Sequence, residues 1–180
     1  MMDSNQIFIS KEQLQAIFKE ADPKYIERFL VPLNTTCNEF EINTPQRLRM
    51  FLAQIGHESG QLRYVKELAS GEDYEGRADL GNTTPGDGVR YKGRGLIQIT
   101  GKRNYVLAGQ GLDLPLLENP EILEQPLNAA RSAGWFWKNN NLNALCDLNL
   151  FKELTKRING GYTHYAERYR LYQRAFDVIK

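Results

Sequence analysis

A chain of 180 residues, 41% hydrophobic and 25% charged, has enough apolar side chain for one domain with a real core, and too much of it for a disordered segment. A formal charge of +1 excludes a nucleic-acid binder that works by bulk electrostatics. Two cysteines, Cys37 and Cys146, in neither metal nor redox spacing, exclude a disulfide scaffold; both are expected to be buried, reduced thiols, with a single bridge left open.

The opening MMDSNQIFISKEQ lacks a basic start followed by a long apolar run, so it does not read as a signal peptide, and no stretch approaches membrane-spanning length. The expectation is a protein made in the cytoplasm that reaches any outer target by another route. Ser10 and Gln13 form a capping-box pattern, with Leu14, Ile17 and Phe18 on one face of the helix that follows. A second helix starts near Pro23, with Tyr25, Phe29 and Leu30 inward, and residues 34–43 read as a short helix or turn. Thr44-Pro45 is a strong start signal, because Thr caps well and Pro suits the first helical position. Leu48, Phe51, Leu52 and Ile55 then give a buried face, and Gly60 a stop. His57 and Glu58 fall in the last turn of that helix.

Residues 70–94 carry five glycines before Gly93 and no sustained periodicity, which in a chain of this size points to a functional loop region with room for a short β-hairpin. Leu96, Ile97 and Ile99 suit a strand or a helix start. After Pro126, a stripe of Leu127, Ala130, Ala133, Gly134 and Trp137 predicts a packed helix. Residues 152–158 predict another, stopped by Gly160-Gly161, and residues 162–179 close the chain as a basic amphipathic helix. From Phe151 onward seven bases (Lys152, Lys156, Arg157, Arg168, Arg170, Arg174 and Lys180) face three acids (Glu153, Glu167 and Asp177). Such an excess reads as a solvated face or as a patch for an anionic surface. The chain reads as mainly α, with residues 1–180 forming one domain.

The side chains available for chemistry narrow the function. With two histidines, and no second His four residues after His57, a zinc-protease helix is excluded. The Gly93-Arg94-Gly95 run lacks the spacing of a phosphate loop, and no nucleophile elbow is present. Carboxylates remain. Hydrolysis of a glycosidic bond needs one proton donor and one carboxylate that activates water or attacks. Glu58, at the end of an apolar helix, is expected to be partly buried, an environment that favours the protonated form. Glu67 follows nine residues later, beyond the helix end. Glu72, Asp73, Glu75 and Asp79 compete with it on spacing alone.

Four blocks decide among these. Phe51-Leu-Ala-Gln-Ile-Gly-His-Glu-Ser-Gly60 resembles the signature of glycoside hydrolase family 19, in which His-Glu-Ser/Thr-Gly carries the general acid. Tyr91-Lys-Gly-Arg-Gly-Leu-Ile-Gln-Ile-Thr-Gly-Lys-Arg-Asn-Tyr105 is similar to that family's Tyr-x-Gly-Arg-Gly block, and Ala133-Gly-Trp-Phe-Trp137 and Ile158-Asn-Gly-Gly161 follow in the same order. The resemblance implies a lysozyme-like, two-lobed helical fold with a cleft, beside which the irregular segment lies. It implies an inverting mechanism with no cofactor or metal. Glu58 would be the general acid, Glu67 the general base, and Thr100 the hydroxyl that helps hold the water. Gln98, Asn104 and Asn159 would contact sugar or organise the site, with Tyr91 and Arg94 beside them and Arg168 the arginine that tunes the base. Trp135 and Trp137 read as core more than as a sugar platform.

Plant chitinases of this family have a cysteine pattern and extra loops that this chain lacks. The trimmed form resembles phage and prophage endolysins. The implied substrate is therefore the glycan strand of bacterial peptidoglycan, reached from the host cytoplasm through holin-type lesions, with the basic helix touching the anionic envelope and the enzyme acting as a monomer. The rivals are a chitinase on N-acetylglucosamine polymers, a lytic transglycosylase and a non-catalytic glycan-binding module.

Overall fold

The computed structural model describes residues 8–180; of the opening segment considered above, residues 1–7 lie outside that range. Helix α1 (Lys11–Ile17) opens with the expected capping box: Gln13 N donates to Ser10 Oγ at 3.1 Å, and Ser10 N donates to Gln13 Oε1 at 2.9 Å. Helix α2 (Pro23–Glu39) is capped by Asp22 and runs straight through residues 34–39, where a separate short helix or turn was expected. Pro32 lies inside it without ending it. The carbonyl that loses its partner belongs to Arg28, an exposed residue that water can reach. Asn34 is buried and gives that stretch a purpose. Its Oδ1 accepts from Ile9 N at 2.7 Å and its Nδ2 donates to Ile9 O at 2.9 Å, which ties the incoming chain to α2. Ile26, Phe29, Leu33 and Cys37 form the buried stripe, while Tyr25 and Leu30 are only partly covered.

Helix α3 (Pro45–Glu58) is the central element. Thr44 Oγ1 accepts from Arg47 N at 3.2 Å, Pro45 takes the first position, and Leu48, Phe51, Leu52 and Ile55 are fully buried. At ~1.5–3 kcal/mol for each buried aliphatic or aromatic side chain, this face is a large part of the core. Phe51 meets Trp137 edge to face at 5.1 Å, which puts Trp137 in the core. The first half of the irregular segment forms two short 3-10 turns (Glu72–Tyr74 and Ala78–Leu80), followed by the one-turn helix α4 (Asp87–Arg90). In place of a hairpin there are two isolated antiparallel bridges, Lys66 with Arg94 and Arg94 with Ile99. The stretch around Leu96 is thus neither a full strand nor a helix start.

Helix α5 (Lys102–Leu112), which the sequence pattern did not predict, follows and buries Tyr105, Ala108 and Leu112. Helix α6 (Pro126–Asn139) buries Ala130, Ala133, Gly134 and Trp137 as expected, but leaves Leu127 exposed. Gly134 lets α6 approach α2 closely, since a Cβ there would collide with Phe40 and Thr36. Helices α7 (Leu142–Asp147), α8 (Phe151–Asn159) and α9 (Tyr165–Val178) complete the chain, α8 ending at Gly160 in the left-handed region. Helix α9 packs along α3 and α1, and α2 packs on α6. The result is a mainly helical lobe joined to a smaller irregular lobe, the lysozyme-like layout, with α3 ending where the two meet.

Cys37 and Cys146 are separate buried thiols, not a bridge. Burial raises the pKa of both, that of Cys146 to about 12. The basic character of α9 is smaller than its residue count implies. Arg168 is 1% exposed and Arg174 is paired with Glu20, leaving Arg170 as the exposed member of the three arginines on that helix.

Candidate active site

Glu58 is half-buried on the last turn of α3, beside a charged partner. Arg168 reaches down from α9, and its Nη2 stands 2.6 Å from Glu58 Oε1. The expected partner of this arginine was the second carboxylate; the register of α9 on α3 delivers it to the first. His57, the preceding residue, lies 3.3 Å from Glu167 and 5.2 Å, ring to ring, from His164. Burial, together with the Arg168 charge, holds His57 below its ordinary pKa.

Between the two carboxylates the chain turns sharply. Gly60, Gln61 and Leu62 have φ of 56°, 55° and 70°, three left-handed residues in succession, of which two carry a Cβ and so cost roughly 1–2 kcal/mol each. Buried contacts hold this strain. Ser59 Oγ donates to Ile55 O at 2.6 Å and accepts from Leu62 N at 2.9 Å, and the Leu62 side chain is fully buried. The turn stops the helix just after Glu58 and sends the chain back toward the irregular lobe.

There Glu67 is gripped by the backbone of the second motif. Glu67 N donates to Gly93 O at 3.0 Å, and Gly93 N donates to Glu67 Oε2 at 2.6 Å. A Cβ built on Gly93 would lie 2.7 Å from Glu67 Oε2, 2.8 Å from Gln98 Oε1 and 3.2 Å from Thr100 Oγ1, so three predicted site residues converge on this one glycine. Thr100 Oγ1 donates to Gln98 O at 2.9 Å, and Asn104 Nδ2 donates to Thr100 O at 2.7 Å. Gln98 adopts φ 59°, which turns its side chain back over the loop, where Nε2 donates to Gly95 O at 3.0 Å. Tyr74 also faces Glu67. Burial and that neighbouring carboxylate push its phenol above the ordinary tyrosine pKa. No sequence signal singled out Tyr74, because it lies in the aperiodic segment and reaches Glu67 only through the fold.

Tyr91 and Arg94, which the resemblance sets beside the sugar-contacting positions, form the support beneath this cluster. Tyr91 is 4% exposed and its hydroxyl donates to Leu117 O at 3.1 Å. Arg94 is almost as buried; its Nε donates to Glu124 Oε1 at 2.8 Å and its Nη1 to the Tyr105 hydroxyl at 3.0 Å. Tyr105 in turn donates to Lys92 O at 2.6 Å, which pins the backbone next to Gly93, and burial pushes its pKa up to about 12. Burial works against ionised Glu124, yet Arg94 and Lys66 hold it below the usual carboxylate range. Asn159 is exposed at the end of α8, and among the described residues no hydrogen bond ties it to either carboxylate. Among the described residues no group of three His, Cys, Asp or Glu side chains is placed to hold a metal ion.

The arrangement is a pair of separately anchored carboxylates, one on a guanidinium and one on a backbone amide, with a hydroxyl beside the second. Comparison with known proteins gives it context. The family described as chitinase class I, glycoside hydrolase family 19, matches residues 47–147, a stretch that holds Glu58, Glu67, Gln98, Thr100 and Asn104 but not Asn159 or Arg168. A glycosyl hydrolase family 19 domain-containing protein of Haemophilus influenzae is 33% identical over 156 residues, covering 69% of this chain and 76% of that protein. An endochitinase of Arabidopsis thaliana is 41% identical over 117 residues, 64% of this chain but only 40% of the plant protein. Among solved structures, chitinase C from Streptomyces griseus superposes with a TM-score of 0.78 at 25% identity, over 95% of this chain and 76% of that one.

Proposed function

The chain belongs to glycoside hydrolase family 19, and we propose that it cleaves the glycan strands of bacterial peptidoglycan by inversion, as an endolysin does. In this reading Glu58 protonates the glycosidic oxygen as the bond from the anomeric carbon breaks. Glu67 takes a proton from the water that attacks that carbon from the opposite face. Inversion asks for carboxyl groups roughly 6.5–9.5 Å apart, so that a water fits between base and sugar.

The observation that carries this assignment is the cluster on Gly93. The single proton of Thr100 is spent on Gln98 O, so its oxygen can only accept. A water placed there directs one proton to Thr100 and the other to Glu67, leaving a lone pair free for the anomeric carbon. The Gly93 N–H bond orients the carboxylate in advance, which lowers the cost of reaching the reactive geometry.

Glu58→Gln and Glu67→Gln are each expected to cut turnover by about 100-fold or more, the scale of general acid–base catalysis, with thermal melts close to wild type. A folded Glu58→Gln protein that still releases sugar at the parent rate removes Glu58 from this role. The substrate is tested by incubation with purified sacculi and with colloidal chitin, followed by mass spectrometry of the products. New reducing ends from sacculi support the peptidoglycan reading, whereas anhydro ends would mark a lytic transglycosylase. Cleavage of chitin alone would support the second reading, a chitinase, which is favoured by the endochitinase matched over 64% of this chain.

A further inference from the structure

The Glu58–Arg168 contact is the end of a buried chain of hydrogen bonds whose direction is set at its other end. Thr155 on α8 is fully buried, and its Oγ1 lies 3.0 Å from the carbonyl of Phe151. A carbonyl cannot donate, so the one hydroxyl proton of Thr155 goes there and its oxygen is left as an acceptor. It accepts from Gln54 Nε2 at 2.8 Å. That choice orients the Gln54 amide: with Nε2 turned to Thr155, Oε1 faces Arg168 and accepts from Nη1 at 2.8 Å. The reverse orientation would set an amide N–H₂ against a guanidinium, donor against donor. Arg168 Nη2 then reaches Glu58 Oε1 at 2.6 Å.

Gln54 and Thr155 are 0% exposed and Arg168 is 1% exposed, so water cannot replace a partner lost from this chain. We propose that Gln54 and Thr155 are positioning residues for the catalytic carboxylate: they orient Arg168, whose grip on Oε1 leaves Oε2 of Glu58 as the oxygen that carries the proton to the leaving group. Neither residue touches substrate. The inference rests on the reading of Glu58 as general acid. It adds that the acid is aimed from α8, through α3 and α9.

The test compares Thr155→Val, which keeps the shape and removes the hydroxyl, with Thr155→Ser, which restores it, and with Gln54→Leu. Each is assayed for kcat, KM and pH–rate profile on soluble glycan fragments, with Glu58→Gln alongside. Thr155→Val and Gln54→Leu are expected to lower kcat on the order of 10- to 100-fold, the size of effect a misplaced catalytic group produces, with KM unchanged. Both should move the alkaline limb of the profile, which reports the acid. Thr155→Ser should recover most of the rate, and the Gln54→Leu/Thr155→Val double variant should lose no more than Gln54→Leu alone. Where a variant fails to fold, Gln54→Glu decides, because it keeps the size of the side chain but offers Arg168 a second carboxylate; the same loss of kcat is expected. Wild-type kcat and pH profile in the folded variants, with Glu58→Gln inactive, overturns the positioning chain and leaves the acid assignment standing. An active Glu58→Gln overturns both.

Discussion

Gly93 carries its functional weight by having no side chain. A Cβ there would press on Glu67 Oε2, Gln98 Oε1 and Thr100 Oγ1 at 2.7, 2.8 and 3.2 Å, and the first and last of these are the groups that would hold the attacking water. The φ of Gly93 is not positive, so alanine fits the backbone and the cost falls on the site. Gly93→Ala should therefore lower kcat by roughly 100-fold while the thermal midpoint moves little; equal losses in both would show the loop to be merely overpacked. Most residues of this cluster could be named from their motif block. Their division of labour could not. Tyr91 and Arg94 stand in the same block as Gln98 and Thr100, yet they point into the support, because Tyr91 reaches Leu117 O and Arg94 reaches Glu124, partners far along the chain.

Helix α3 illustrates how far local rules carry. Its cap, its proline and its apolar spacing all lie within one short stretch, and the observed helix starts and ends where that pattern places it. Removing the cap with Thr44→Ala should cost about 1 kcal/mol, read as a lower denaturation midpoint. Because the cap lies at the opposite end of the helix from Glu58, the specific activity of the folded protein should be unchanged. Helix α2 is the counterexample. A stretch polar at its ends suggested a separate short helix or turn over residues 34–43, but packing of Leu33, Cys37 and the Asn34 clamp on Ile9 keeps the helix going to Glu39. Tertiary contacts overrode a local signal there. In the segment after Arg94 a strand pattern found no continuous partner, and only single bridges formed.

A clamp crosses the fold at the turn between the two anchored carboxylates. Arg174 of α9 grips Glu20 at 2.9 Å through each oxygen, and Glu20 accepts from Gln61 Nε2 at 2.6 Å in the strained turn between Glu58 and Glu67. Arg174, with Gln61, holds the Glu20 pKa at about 2, below its ordinary 4.5. The lowered pKa means that the stabilisation is complete above about pH 4.5 and is lost as pH falls toward 2. Glu20→Gln should be less stable than wild type at neutral pH and should show a flatter loss of stability across that acid range. The difference should shrink in high salt, since the Glu20 side chain is 59% exposed.

The order of motifs, the mainly helical class and the place of Glu58 in the last turn of α3 were determined by the sequence alone, since helix period and caps act within a few residues of one another. The partner of Glu58 was decided only by the tertiary structure. Arg168, Gln54 and Thr155 come from three helices, with Gln54 and Arg168 separated by 114 positions. Which arginine of α9 turns inward depends on how that helix docks against α3, and docking is set by the packing of both faces together.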